Sequence, residues 1–133
     1  MLMVRTMIQS MCPFFIVNHV EATIAFYTDK LGFETGYREP EEEPFFAIVG
    51  RDGASLFVKA GEASPLPNPK RDPAMRWDAY CYTPDPAALA AEFTERGAPL
   101  SSPLKDTTDG LRGFEITDPD GYVLFFGRPR ELS

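Results

Sequence analysis

The sequence predicts an α+β fold made of two βαβββ modules, on three features. An Asp-Gly turn flanked by apolar runs occurs twice, a helix pattern closed by glycine lies upstream of each turn, and a proline-rich stretch divides the halves. The later turn, Asp118-Pro119-Asp120-Gly121, joins the runs 113–116 and 122–126. Pro119 presets φ, Asp120 tolerates a left-handed conformation, and Gly121 takes positive φ without a Cβ clash. The earlier turn, Arg51-Asp52-Gly53, leads into Ala54-Ser55-Leu56-Phe57. Both hairpins therefore read D-G-x-x-L-F, at an offset of 68 positions from Asp52 to Asp120.

Each element follows from local chemistry. Residues 12–17, Cys-Pro-Phe-Phe-Ile-Val, read as a buried strand. Asn18 is the expected N-cap of the next helix, with Glu21 completing a capping box. Ile24, Tyr27 and Leu31 share one helical face, with Phe26 beside it, and Gly32 ends the helix. Residues 33–37 form a short strand, residues 38–44 an acidic loop bracketed by prolines, and residues 45–49 and 54–58 the first hairpin. Residues 60–75 hold four prolines, which a regular element does not accommodate, so this stretch is a linker with Lys70 and Arg71 solvated. Residues 77–82 are the next strand. Asp85 caps a helix with Pro86 in its first turn, Leu89 and Phe93 share a face, and Gly97 closes it. A loop over 101–110 precedes strand 112–117 and the last strand. One domain spans 1–133: module one at about 12–59, the linker at 60–75 and module two at about 76–127.

Composition narrows the function. The net charge of −7 argues against a nucleic-acid partner, which needs a basic surface, and suits neutral or cationic ligands. No apolar run reaches the length of a membrane span, and the start lacks a signal-peptide core, so a cytoplasmic protein is expected. Two cysteines, Cys12 and Cys81, are too few for a disulfide framework and read as buried thiols. The single histidine, His19, reads as a capping or surface residue. No glycine-rich phosphate loop or activated serine is present, so no catalytic residue is assigned.

The segments Phe26-Tyr27-(x3)-Leu31-Gly32-Phe33 and Asp118-Pro119-Asp120-Gly121-(x2)-Leu124 together resemble the vicinal oxygen chelate superfamily. That superfamily holds glyoxalase I, bleomycin-resistance proteins, fosfomycin-resistance enzymes and extradiol dioxygenases. The resemblance runs from about Cys12 to Gly127. It implies that the paired modules curl a mixed sheet around a central cavity, and that the chain forms a homodimer. The apolar start, including Met1, Leu2, Met3, Val4, Met7 and Ile8, is consistent with packing on a partner.

Carried onto this chain, the superfamily's four metal-ligand positions fall on Cys12, Phe57, Asp78 and Phe125. A phenyl ring offers a divalent ion neither oxygen nor imidazole, so no metal and no cofactor are expected. Lewis-acid chemistry is correspondingly in doubt. The expectation is a metal-free protein, like the bleomycin-resistance branch, that holds a planar, neutral or cationic small organic ligand. By strand alternation Cys12, Phe14, Phe57, Asp78, Tyr80 and Phe125 would line the cavity, with Ala79 and Cys81 beneath a helix. Arg112 is a further candidate, able to meet a ligand carboxylate. The alternatives are a lyase or dioxygenase-like enzyme with atypical metal ligands, and an interaction module with a closed cavity.

Overall fold

A computed structural model describes residues 3–130. Module one runs β1 (Phe14–Ile16), α1 (Val20–Ala25), continued by a π-helical turn over Phe26–Lys30, then β2 (Glu34–Glu39), β3 (Phe46–Arg51) and β4 (Ala54–Lys59). A helical turn, α2 (Asn68–Arg71), interrupts the linker. Module two runs β5 (Ala79–Tyr82), α3 (Pro86–Glu95), β6 (Leu100–Asp106), β7 (Leu111–Thr117) and β8 (Val123–Pro129). The sheets have the same plan, β1-β4-β3-β2 and β5-β8-β7-β6, and neither closes on itself. In each, the first strand lies parallel to the last and the other pairs are antiparallel.

Register relates the modules residue by residue. Phe14 pairs with Phe57 as Tyr80 pairs with Phe125, and Phe15 pairs with Val58 as Cys81 pairs with Phe126. Between the first strand and the helix end, one residue breaks the match. Gly32 and Gly97 both end their helices with positive φ, at +70° and +84°. The amide of Ala98 reaches back to the Phe93 carbonyl, whereas that of Phe33 reaches one residue further, to Tyr27. The π-helical turn absorbs this extra residue, a common use of such turns.

Alternation splits each sheet into two faces. Inner-facing Phe15, Ala47, Val49, Leu56, Val58, Phe114, Ile116, Leu124 and Phe126 pack with helix residues Ile24, Tyr27, Leu31, Ala90 and Phe93 in one continuous core. Two reciprocal clamps join the modules. From the β7–β8 turn, Asp118 Oδ2 accepts from the Tyr27 hydroxyl of the other module's helix at 2.8 Å. At the β3–β4 turn, Arg51 donates to both Glu92 oxygens of α3 at 2.7 Å each and to the Leu31 carbonyl at 2.9 Å. The last hairpin of each module thus grips the helix of the other.

Three local expectations are corrected. His19, not Asn18, caps α1 with its Nδ1 accepting from the Ala22 amide, and Glu21 pairs instead with Arg38. The Asn18 amide donates to Asp120 across the module boundary. Within 60–75, Asn68–Arg71 does form a helical turn, because Pro69 sits in the first turn, where an amide has no helical partner. Most of the expected loop 101–110 is strand β6; its Pro103 is tolerated because β6 is an edge strand, irregular on both sides of Ser102. In the first turn Asp52 takes the left-handed position, at φ 52°.

Candidate functional site

The faces turned away from the helices carry aromatic rings in both sheets. On the first, Phe14, Phe46 and Phe57 form a triangle with centroids 5.8–6.0 Å apart, and Tyr37 meets Phe46 edge-on at 6.0 Å. Phe14 is 56% exposed and Tyr37 48%. On the second, Phe125 lies under Trp77, stacked at 4.2 Å, with Tyr80 at 5.4 Å.

The sequence explains why Phe125 lies flat. Its neighbours across the face are Gly113 and Gly127, and a Cβ on either would meet the Phe125 ring at 2.4–2.5 Å. Two missing side chains make the shelf on which the ring rests. Trp77 Nε1 donates to Glu115 Oε2 at 2.9 Å, which fixes the indole, and the Arg76 guanidinium covers that ring at 4.6 Å. The second face is therefore a stack of guanidinium, indole and phenyl with a carboxylate at its side.

The sequence-derived residues divide among several places. Phe14 and Phe57 stand together on the first face, and Tyr80 and Phe125 on the second. Among the described residues no ring contact joins the two sets, so they form two separate patches within one chain, with Tyr80 exposed and Phe125 covered. Asp78 lies just ahead of β5. Its oxygens accept from the Asn68 amide at 2.6 Å and the Val123 amide at 2.8 Å, tying the linker turn to β8. Arg112 alternates with Gly113 and so faces the helix side, where it pairs with Asp106 at 3.1 Å. Cys12 is half-buried ahead of β1. Trp77, Glu115, Phe46 and Tyr37 were missed. Glu115 could have been found by register, since it pairs with Phe125 across the Asp-Gly hairpin.

These donors do not suit the divalent metal of the superfamily's enzymes. Phe57 and Phe125 offer carbon, and both Asp78 oxygens already hold amides. Among the described residues no three His, Cys, Asp or Glu side chains converge as a metal site. Nor is Cys81 a ready nucleophile: burial pushes its thiol up to about 11, which keeps it neutral at physiological pH.

A second feature lies at the seam between the modules, on the helix side. A cavity of about 520 Å³ opens between the β3–β4 turn and β5, bordered by Ala54, Leu56, Cys81, Pro84, Leu89 and Phe93. Among the described residues no helix is long and apolar enough to cross a membrane.

Comparison with known proteins agrees with this architecture. A search of curated proteins finds no match. Among solved structures, TioX from Micromonospora sp. ML1 superposes with a TM-score of 0.70 at 19% identity, over 90% of this chain and 98% of that one. The bleomycin-binding protein of bleomycin-producing Streptomyces verticillus, solved with copper(II)-bleomycin, gives 0.68 at 24% identity, over 98% and 100%. TnmS3, an antibiotic-binding protein from Streptomyces sp. CB03234, gives 0.64 at 24%, over 93% and 99%. At these identities the likeness is one of fold. The family model for the Glyoxalase/Bleomycin resistance protein/Dioxygenase superfamily matches residues 8–126, nearly the whole chain, and the protein belongs to that superfamily.

Proposed function

We propose that this protein binds and sequesters a planar, neutral or cationic organic molecule on its open aromatic faces, without metal, as a cytoplasmic homodimer. One observation carries the reading: both sheets turn clustered aromatic rings outward, with Phe14 56% and Tyr80 42% exposed. Apolar surface of this kind is characteristic of a binding site or an interface. The rings offer stacking worth on the order of 0.5–1.5 kcal/mol per well-placed contact, and a cation gains further from their faces. Glu115 supplies the carboxylate beside Phe125, since Asp78 is engaged by backbone amides. The net charge of −7 draws cations in and turns anions away. The antibiotic-binding neighbours support the binding class.

The test is a thermal-shift screen of aromatic antibiotics, since a ligand of the folded state raises Tm. Hits are then titrated into the wild type, Phe57→Ala, Tyr80→Ala and Glu115→Gln. Planar neutral or cationic hits are expected, weakened about tenfold by loss of the ring they stack on. Anionic hits alone, or all three variants binding like wild type, overturn the proposal.

A further inference from the structure

We propose that the seam cavity is a second small-molecule site, separate from the aromatic faces, and that it takes a phenolic ring. The inference does not rest on the function proposed above. Its basis is a comparison of the two seams that the module repeat creates.

The seam beside β1 is filled. Tyr122, the residue after the turn glycine Gly121, stacks on Phe15 with centroids 4.0 Å apart and planes 9° from parallel. Its hydroxyl donates to the Ile16 carbonyl at 2.6 Å. Asp120 of the same turn accepts from the Asn18 amide at 3.1 Å and latches it to the chain beyond β1. A ring, its stacking partner and a latch close this side.

Each part is missing at the other seam. The residue after Gly53 is Ala54, where Tyr122 stands in module two. The counterpart of Phe15 by register is Cys81. The counterpart of Asn18 is Pro84, which has no amide proton to give Asp52, and the Asp52 carboxylate stays in solvent beside Arg51. Ala54, Cys81, Asp52 and Pro84 all border the 520 Å³ cavity. That volume falls within the roughly 300–1,000 Å³ of small-molecule sites.

The filled seam shows what the open one accommodates. A flat ring beside Cys81 repeats the place of Tyr122, between apolar walls that include Leu56, Leu89 and Phe93. Its hydroxyl would meet the carbonyl of Tyr82, the counterpart of Ile16. In both modules the strand concerned is the free edge of its sheet, and these carbonyls point off that edge. A neutral thiol in the wall suits an uncharged aromatic ring. The ligand class is thus a phenol, free or as part of a larger molecule.

The probe is p-cresol, the side chain of tyrosine as a free molecule, titrated into the full chain by NMR. Saturable binding is expected, with contacts from the ring to Leu89 and Phe93. Toluene should bind several-fold more weakly for want of the hydroxyl. Ala54→Tyr fills the cavity in the manner of Tyr122 and should weaken p-cresol at least tenfold without lowering Tm. Cys81→Phe, filling it from the opposite wall, should do the same and serves if the first variant folds poorly. Undiminished binding in both cavity-filling variants overturns the proposal, as do ring contacts to Phe14 or Trp77 in place of Leu89 and Phe93. Binding that appears only after deletion of residues 1–11 overturns it in favour of a chain segment as the natural occupant.

Discussion

Asp118 is nearly inaccessible, yet its carboxylate accepts from the Tyr27 hydroxyl and from the Asp120 and Tyr122 amides. Burial outweighs these donors and pushes the group up to about 6. A folded pKa above the unfolded one means that the folded state holds the proton longer. The group's contribution is fully present below about pH 4 and is lost as pH rises through about 6. Asp118→Asn keeps an oxygen for the two amides and removes the titration. Its stability should change less between pH 4 and pH 7 than that of wild type, by up to about 3 kcal/mol, measured by urea unfolding at both pH values. Tyr27→Phe withdraws one donor from the ionised group and should cost about 1–3 kcal/mol at pH 7.

The opposite clamp has the opposite pH dependence. Hydrogen bonds from Arg51 and then Arg96 hold the Glu92 carboxyl down at about 2. Its contribution is present above the ordinary carboxylate range and fades as pH falls from about 4.5 toward 2. Arg51→Ala should cost about 1–2 kcal/mol at pH 7, moderated by the solvent exposure of the pair, and much less near pH 2.

The elements themselves show how far a sequence can be read. The strand–helix–hairpin order of both modules was legible, because Asp-Gly turns and helix-ending glycines are set by backbone sterics that act locally. The buried stripe Ile24, Tyr27 and Leu31 followed from helical spacing. The π-helical turn was not legible, since its cause is one surplus residue relative to a module far along the chain. Strand β6 was hidden because Ser101-Ser102-Pro103 lacks apolar alternation, which an edge strand can do without. At the site, alternation put Phe14, Phe57, Tyr80 and Phe125 in one lining, whereas the register sets Phe14 beside Phe57 and Tyr80 beside Phe125 on separate sheets. Asp78 shows the limit: a sequence displays a carboxylate but not the two amides that claim it, and Arg112 likewise meets Asp106 across a hairpin.

Taken as a unit, the chain exposes Met3, Val4, Met7, Ile8 and Met11 ahead of β1. Met1 and Leu2 lie outside the described residues. Such a segment is better accounted for by a partner surface than by water. Light scattering should give about twice the 14.9 kDa chain mass, and deletion of residues 1–11 should shift the equilibrium toward monomer. A stable monomer at high concentration would remove the homodimer from the proposal. Elemental analysis after dialysis should find well under one divalent metal per chain.

The crossed clamps bear on how the chain could be taken apart. Neither module owns all the contacts that hold its own helix, because Tyr27 is held from the β7–β8 turn and Glu92 from the β3–β4 turn. The exposed residues Gly61, Glu62 and Ala63 of the linker carry none of these contacts. A protease nick there would separate the halves covalently but not physically, and each alone would lack half of its grip. Two co-expressed pieces, ending and restarting near Glu62, should therefore copurify as a complementing pair that melts in one transition, while either piece expressed alone should be unfolded.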